Sequence, residues 1–280
     1  MAMITGITYD NWTEYQKTVK LDTGITMAYV EAGNTEAPPL VLIHGFTDTG
    51  RVWRYMLQYL ENDFHIYLPD LRGHGDSDKP EQDIQTVPEY AEDIIAFMKA
   101  LGLEGGFVAG HSLGSMTAQA IGYLAPDIAK KIMMVETGAR MHESPEEFQE
   151  MLAMYDGLGI EPELTIDDAP ELFPLYDSFV CKEHVKYFIE HAKDIPRYVM
   201  RASLFGMYNY DGTRLLQFIK ADTAVVWGTD EYCFTKEYLD EMKEYLPNAE
   251  YLIYEGGTHD IPDEFPEKLA GDMKKFFLEV

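Results

Sequence analysis

One serine, Ser112, lies at the centre of a Gly-x-Ser-x-Gly sequence and constrains the fold of this chain more than any other feature. An apolar run at 106–109 precedes it, and apolar residues at helical spacing follow it. A strand, a sharp turn and a helix around a serine form a nucleophile elbow, in which the serine stands on a strained turn. Side chains at Gly110 and Gly114 would collide with the adjacent strand or helix, which explains both glycines. The sequence therefore predicts that Ser112 is a nucleophile at the start of a helix, whose amides face any negative charge that develops there.

Strand-like and helix-like segments alternate along most of the chain. A continuous apolar run, typical of a strand covered on both faces, occurs at 39–43, and further strand-like segments lie at 64–69, 131–136, 223–227 and 250–254. Amphipathic segments with helical spacing lie between them. This alternation predicts an α/β fold with a mostly parallel central sheet and helices on both faces, preceded by an antiparallel hairpin at 17–30.

The alternation stops between residues 138 and 216, where aromatic residues and methionine recur. We expect a helical cap (lid), 138–216, inserted over the carboxyl edge of a core domain that comprises 1–137 and 217–280. Most of its apolar side chains are expected to form the cap's own core, whereas some face a substrate pocket. The pocket candidates are His111, Met151, Tyr155, Phe179, Met207 and Tyr208. Methionine adapts to irregular shapes, so such a pocket would accommodate an apolar acyl or aryl group.

The composition excludes several kinds of partner. The 22 lysine and arginine residues against 49 aspartate and glutamate residues give a net charge of −27, which repels nucleic acid and anionic membranes. No apolar run approaches the ~20 residues of a membrane-spanning helix, and no secretion signal is recognisable at the N-terminus. The two cysteines, Cys181 and Cys233, are far apart, which favours a reducing compartment. We therefore expect a cytoplasmic protein, monomer or homodimer, that acts on a small molecule.

Polar residues with complementary chemistry follow three of the predicted strands. Ser112 is on the elbow, and Asp230 and His259 follow the last two strands. Since ligands of open parallel sheets bind at the carboxyl ends of the strands, these side chains are expected to meet there. The order serine, acid, histidine predicts a catalytic triad, in which His259 takes the serine proton and Asp230 holds the other imidazole N–H. Glu136, at the end of its strand, is the alternative acid; its other possible roles are to line the pocket or to pair with Arg140.

Five motifs resemble those of the α/β-hydrolase superfamily, in the family order and over nearly the whole chain. They are His44-Gly45-Phe46, the sequence at 70–77, the elbow at 110–114, Trp227-Gly228-Thr229-Asp230, and His259 with Glu264-Phe265-Pro266. The resemblance implies an α/β-hydrolase fold with an oxyanion hole formed by the backbone N–H groups of Phe46 and Leu113. No zinc-ligand spacing and no dinucleotide-binding glycine motif occurs in the sequence, so neither a metal nor a cofactor is expected.

Other polar residues of these motifs are expected to be structural. His44 orders the oxyanion loop, and His111 packs on the elbow. In the loop 70–77, Arg72 pairs with a neighbouring carboxylate.

The resemblance leaves the substrate open, because the superfamily serves many reactions. A serine at position 112 argues against the epoxide hydrolases and haloalkane dehalogenases of the superfamily, which attack with a carboxylate. We expect a serine hydrolase, of the carboxylesterase or lactonase type, that cleaves esters or lactones of small to medium, largely apolar substrates through an acyl-enzyme. The alternatives are a hydrolase of carbon–carbon bonds in ring-fission diketones and a ligand receptor that retains the hydrolase fold.

Overall fold

The structure, a computed structural model, describes residues 6–8, 10–141, 144–158 and 194–279, with only the backbone for 154–158. Its central element is an eight-stranded sheet. The strands are β1 (Gln16–Lys20), β2 (Thr26–Gly33), β3 (Pro39–Ile43), β4 (His65–Pro69), β5 (Gly106–His111), β6 (Ala129–Val135), β7 (Asp222–Gly228) and β8 (Glu250–Tyr254). They lie in the order β1-β2-β4-β3-β5-β6-β7-β8. The pairs β1–β2 and β2–β4 are antiparallel and all others are parallel, which confirms the predicted sheet.

Helices cover both faces of the sheet. They are α1 (Arg54–Leu60), α2 (Val87–Leu101), α3 (Leu113–Leu124), α4 (Pro145–Leu158), α5 (Arg197–Tyr208), α6 (Lys236–Tyr245), α7 (Ile261–Glu264) and α8 (Pro266–Leu278). On β3, Leu40 and Leu42 join the apolar core formed with α1 and α8, whereas Val41 and Ile43 join the core formed with α2, α3 and α6. Successive side chains of a strand alternate between faces, so one strand contributes to both cores. Within the described ranges, no helix is both long and apolar enough to cross a membrane.

The ends of α2 follow from its sequence. The Thr86 hydroxyl accepts a hydrogen bond from the Glu89 backbone N–H over 3.3 Å, and the Glu89 carboxylate accepts one from the Thr86 N–H over 2.8 Å. This capping box satisfies amides at the N-terminal end of the helix that would otherwise lack partners. At the other end, Gly102 has a left-handed φ of 70°, which glycine adopts without strain. The helix packs against α3, the helix that begins at the elbow.

The helices α4 and α5 lie within the segment 138–216. They pack against each other, and the rings of Phe148 and Tyr208 stack with their centroids 4.0 Å apart. Phe46, in the loop after β3, packs against apolar side chains of both helices. This contact places the helices near the carboxyl end of β3, on the side of the sheet where the cap is predicted.

Part of this segment lies outside the described residues, namely 142–143 and 159–193. The described part contains the helices α4 and α5, whereas 138–141 and 209–212 are not helical. The division of the chain at residues 138 and 216 into core and cap stays a prediction.

Candidate active site

Ser112 lies on a sharp turn between β5 and α3. Its backbone has φ 53° and ψ −117°, a conformation that side chains rarely adopt. A Cβ at Gly110 would lie 2.1 Å from the Gly114 carbonyl oxygen, and a Cβ at Gly114 would lie 2.3 Å from the Ile43 carbonyl oxygen. Both distances are far below a van der Waals contact, so both positions require glycine. The predicted geometry of the elbow is confirmed, and so is the reason for its two glycines.

A second serine, Ser115, ties the elbow to the neighbouring strand. Its hydroxyl donates to the Gly110 carbonyl oxygen over 2.6 Å and accepts from the Val135 backbone N–H over 2.8 Å. The Ser112 backbone N–H donates to the Val135 carbonyl oxygen over 3.0 Å. These bonds, all within the protein, hold the turn to the ends of β5 and β6.

Three non-glycine residues in the described ranges have a positive φ: Thr47 at 63°, Ser112 at 53° and Glu136 at 47°. Each follows the carboxyl end of a parallel strand, respectively β3, β5 and β6. Such conformations cost on the order of 1–3 kcal/mol each and persist only where the surrounding contacts impose them. Their concentration at one edge of the sheet marks that edge as the candidate site.

His259, in the loop after β8, contacts a buried carboxylate from the loop after β7. Its Nδ1 lies 2.8 Å from Oε2 of Glu231, whose side chain is 0% exposed. The other oxygen, Oε1, accepts from the backbone N–H groups of Cys233 and Phe234 over 2.5 and 3.1 Å. Burial opposes ionisation of Glu231, but the adjacent His259 and the hydrogen bonds prevail and lower the pKa of its carboxyl. The ionised carboxylate fixes the proton of His259 on Nδ1 and leaves Nε2 as the basic nitrogen.

The structure corrects the expectation that Asp230 holds His259. The Asp230 side chain is exposed, and its Oδ1 accepts from the Thr229 hydroxyl over 3.3 Å. Its backbone N–H donates to the Gly257 carbonyl oxygen over 2.9 Å, and this bond fixes the turn with the side chain of residue 230 outside. The next residue, Glu231, is therefore the one whose carboxylate enters the site.

Glu136, the alternative acid, is fully buried after β6 and its carboxyl lies against that of Glu231. Its Oε1 accepts from the Gly228 backbone N–H over 2.7 Å. Burial, reinforced by the charge of Glu231, raises the pKa of Glu136 well above the ordinary value of a glutamate. The pairing with Arg140 is not observed, because Arg140 binds Glu241 over 2.9 Å instead.

The His-Gly-Phe sequence after β3 lies against the elbow. A Cβ at Gly45 would lie 3.2 Å from the Ser112 Cβ. His44 orders this loop: its Nδ1–H donates to the Gly45 carbonyl oxygen over 2.7 Å, and its Nε2 accepts a backbone N–H of the loop after β4 over 2.9 Å. Leu113 is the first residue of α3, so its backbone N–H has no intrahelical partner. The segments that carry the Phe46 and Leu113 amides therefore flank the serine, and the assignment of these amides to an oxyanion hole stays a prediction.

His111 connects the elbow to the loop that carries His259. Its Nε2–H donates to the His259 carbonyl oxygen over 2.6 Å, and the two ring centroids are 4.9 Å apart. Burial, together with the neighbouring imidazole, lowers the pKa of His111 to about 4, so the ring is neutral at physiological pH. Because His111 precedes Ser112 directly, this contact holds the loop of His259 at the same edge of the sheet as Ser112.

The pocket candidates of the helical segment are only partly described. Met151 and Tyr208 lie against the small apolar cluster between α4 and α5, and Met207 is buried in the larger core beneath. The side chain of Tyr155 and all of Phe179 lie outside the described residues. The assignment of these residues to a substrate pocket stays a prediction.

Three potential metal ligands lie together in the described part of the chain. The donor atoms of Glu231, Cys233 and His259 are within 4.8 Å of one another. The Glu231 oxygen and the His259 nitrogen already bond to each other over 2.8 Å, and the second Glu231 oxygen accepts two amides. Structural zinc sites use four ligands and catalytic ones three beside water, and here the two strongest donors satisfy each other. The set is accounted for by hydrogen bonding.

The chain matches known proteins along most of its length. Residues 38–266 match the model of the family described as alpha/beta hydrolase fold. Lipase 1 of Psychrobacter immobilis is 25% identical over 282 residues, covering 93% of this chain and 83% of the lipase. The (E)-2-((N-methylformamido)methylene)succinate hydrolase of Acinetobacter baylyi is 27% identical over 269 residues, covering 92% of this chain and 96% of that hydrolase.

Solved structures agree with these similarities. The enol-lactonase from Burkholderia xenovorans LB400 superposes with a TM-score of 0.80 at 19% identity, over 94% of this chain and 100% of the lactonase. At this level of identity the likeness concerns the fold alone. The overall fold of this chain is therefore shared with proteins of known structure.

Proposed function

Because the chain belongs to the alpha/beta hydrolase fold family and is a hydrolase of that family, we propose that it is a serine hydrolase that cleaves carboxylic esters or lactones. The catalytic triad of this proposal is Ser112, His259 and Glu231. The observation that carries it is the 2.8 Å bond between His259 Nδ1 and the buried Glu231 carboxylate, on the loop that His111 ties to the elbow. This bond gives the imidazole the tautomer that a base for Ser112 requires.

The reaction follows from these three side chains. Ser112 Oγ attacks the carbonyl carbon of the substrate while His259 Nε2 takes the hydroxyl proton. Glu231 stabilises the imidazolium that forms. The imidazolium then protonates the leaving alkoxide oxygen as its bond to the carbonyl carbon breaks. A water molecule, deprotonated by the same imidazole, hydrolyses the acyl-enzyme and restores Ser112.

The negative charge of the tetrahedral intermediate requires donors near the serine. The backbone N–H groups of Phe46 and Leu113 are the donors of this proposal, and the N-terminal end of α3 adds its dipole. Loss of one such donor in a serine hydrolase costs on the order of 3 kcal/mol in the transition state. Both donors belong to the main chain, so substitution of the Phe46 or Leu113 side chain does not remove them.

The proposed substrates carry small to medium, largely apolar acyl groups. Phe46, a residue of the oxyanion loop, packs against apolar residues of α4 and α5, which supports an apolar surface near the reacting carbonyl. One similar protein is named a lipase and another an enol-lactonase. The net charge of −27 disfavours polyanionic substrates.

Turnover of p-nitrophenyl acetate and p-nitrophenyl butyrate tests the proposal. We expect sustained turnover by the parent protein, loss of turnover in Ser112→Ala, and retention in Ser144→Ala, which changes a serine outside the site. A single slow burst by the parent would indicate a receptor that is acylated without turnover. Hydrolysis of ring-fission diketones in place of both esters would indicate the carbon–carbon alternative.

A further inference from the structure

Two carboxyl groups, one at the end of each of two neighbouring strands, meet beside His259. Glu136 follows β6 and Glu231 follows β7, and both side chains are buried. The two carboxyl groups lie close enough for each to affect the ionisation of the other. Two carboxylates in contact in an apolar interior cannot both be ionised, because their repulsion and the loss of hydration both oppose it.

The hydrogen-bond donors around the pair decide which group keeps its charge. Glu231 accepts from two backbone amides at Oε1 and from His259 Nδ1 at Oε2. Glu136 accepts from one backbone amide at Oε1, and its buried Oε2 meets no donor among the described residues. Hydrogen bonds donated to a carboxylate favour its ionised form, so Glu231 is the ion and Glu136 the acid.

We propose that Glu136 is a positioning residue: a neutral carboxylic acid that donates its O–H to the Glu231 carboxylate and so holds the acid of the triad. The inference rests on the proposed function, because the group that Glu136 holds is the partner of the proposed base. The pair carries one negative charge and one proton, and no proton leaves it during the reaction.

The backbone at this position agrees with such a role. Glu136 has a φ of 47°, a strained value for a residue with a side chain, and its N–H donates to the Val226 carbonyl oxygen over 3.0 Å. The bond from Gly228 N–H to Glu136 Oε1 fixes the carboxyl plane against β7. The strained turn therefore orients the Glu136 carboxyl toward Glu231, the carboxylate that contacts His259.

The proposal predicts a specific effect on the base. A donated O–H withdraws charge from Glu231, so its removal makes Glu231 more basic, stabilises the His259 imidazolium and moves the acidic limb of kcat/KM to higher pH. Among the described residues, other titratable groups beside this cluster include Glu264, whose charge acts on Glu136, the rings of His111 and Tyr232, whose centroids lie 4.9 and 5.9 Å from that of His259, and the thiol of Cys233. Asp260, which follows His259 in the chain, is also buried. All of these groups remain unchanged in the variants below.

Three variants test the proposal through the pH profile of p-nitrophenyl acetate hydrolysis. E136Q keeps an N–H donor and a carbonyl acceptor, so we expect kcat/KM within about threefold of the parent and an unshifted acidic limb. E136L lacks both, and we expect a loss of about 10- to 100-fold, typical of removed supporting hydrogen bonds, with the acidic limb at higher pH. E231Q is expected to lose on the order of 10⁴-fold. Equal losses in E136Q and E231Q would overturn the proposal, because Glu136 would then be an ionised acid.

An infrared measurement detects the proton of the Glu136 carboxylic acid independently of catalytic activity. The difference spectrum of the parent protein minus E136Q at pH 7 should contain the carbonyl stretch of a protonated carboxylic acid, since other buried acids such as Asp70 cancel between the two proteins. Its absence would overturn the proposal even if E136L failed to fold. If the band is present and the parent hydrolyses no ester or lactone, the proposed function fails while the shared proton stands.

Discussion

His259 Nδ1 bonds to Glu231 Oε2 over 2.8 Å and thereby joins two loops whose residues are 28 positions apart in the chain. Glu231 follows β7 and His259 follows β8, and because these two strands are neighbours in the sheet, the loops can make this contact. A histidine held in this way has one defined tautomer, and only one of its nitrogens can accept the proton of a nucleophile.

Substitution of the adjacent acids Asp230 and Glu231 should show which of them is the functional partner of His259. Glu231→Gln is expected to lower kcat on the order of 10⁴-fold, because an amide favours the wrong imidazole tautomer. Asp230→Asn is expected to leave kcat within about twofold, since the Asp230 side chain is exposed and contacts Thr229. Steady-state kinetics with p-nitrophenyl butyrate checks both. The reverse ranking would restore Asp230 as the acid.

Substitution by alanine should change the stability of the fold in opposite directions at two helical glycines. A Cβ at Gly114 would lie 2.3 Å from the Ile43 carbonyl oxygen, so Gly114→Ala should destabilise the fold by about 3 kcal/mol or more. A Cβ at Gly271, exposed on α8, meets nothing within 4 Å, and Gly271→Ala should stabilise the fold by about 0.5–1 kcal/mol. Urea unfolding measures both. A neutral Gly114→Ala would show that the elbow can widen.

Acid should destabilise the fold through buried His111. Burial lowers the pKa of His111 to about 4 from 6.5, so between these values the unfolded chain binds a proton that the folded chain does not. The free energy of unfolding therefore rises with pH across this window, and about 3 kcal/mol is lost as the pH falls from 6.5 to 4. His111→Gln should flatten this part of the profile.

Denaturant unfolding of the parent and His111→Gln at several pH values checks this expectation. At pH 7.5 the imidazole is neutral in both states, so the difference there measures the packing and hydrogen bonding of the substitution alone. A difference that stays constant from pH 7.5 to pH 4 would contradict the assignment of the slope to His111.

Two arginines should differ in their contribution to stability. Arg72 binds Asp93 through two bonds of 2.6 and 2.8 Å, and the Asp93 side chain is 0% exposed. The predicted pairing of Arg72 is thus confirmed, and Arg72→Met should cost about 3–5 kcal/mol because it leaves a buried charge without its partner. Arg140→Met should cost less than about 1 kcal/mol, since the Arg140 side chain is 40% exposed. Thermal unfolding of both variants tests the contrast.

The sequence predicts the sheet closely where apolar runs are continuous. The strands expected at 39–43 and 250–254 have these bounds in the structure, because a charged or proline residue and a turn delimit each run. The elbow is predicted for a different reason, because its two glycines form a short motif with fixed spacing. The contact of Gly110 with the Gly114 backbone is local, whereas the contact of Gly114 with the Ile43 carbonyl oxygen joins distant parts of the chain.

Spacing alone does not identify the carboxylate that contacts His259, which is Glu231 and not Asp230. Asp230 and Glu231 are neighbours with the same chemistry, and the choice between them depends on a bond from the Asp230 N–H to Gly257, 27 positions further along the chain. A Cβ at Gly228 would lie 2.1 Å from the Gly257 carbonyl oxygen, so the two loops are in backbone contact. The glycines at 228 and 257 are the sequence signal for that contact, but they do not reveal which carboxylate turns inward.

The strand order also bears on how the protein would lose activity. Ser112 follows β5, which pairs with a strand on each side, whereas His259 follows β8, which lies at the edge of the sheet. Outer strands of a domain open at lower free energy than central ones. Mild denaturant should therefore detach the base while deuterium exchange still finds β5 protected. Inactivation would precede melting, and an inactive sample could retain its complete central scaffold.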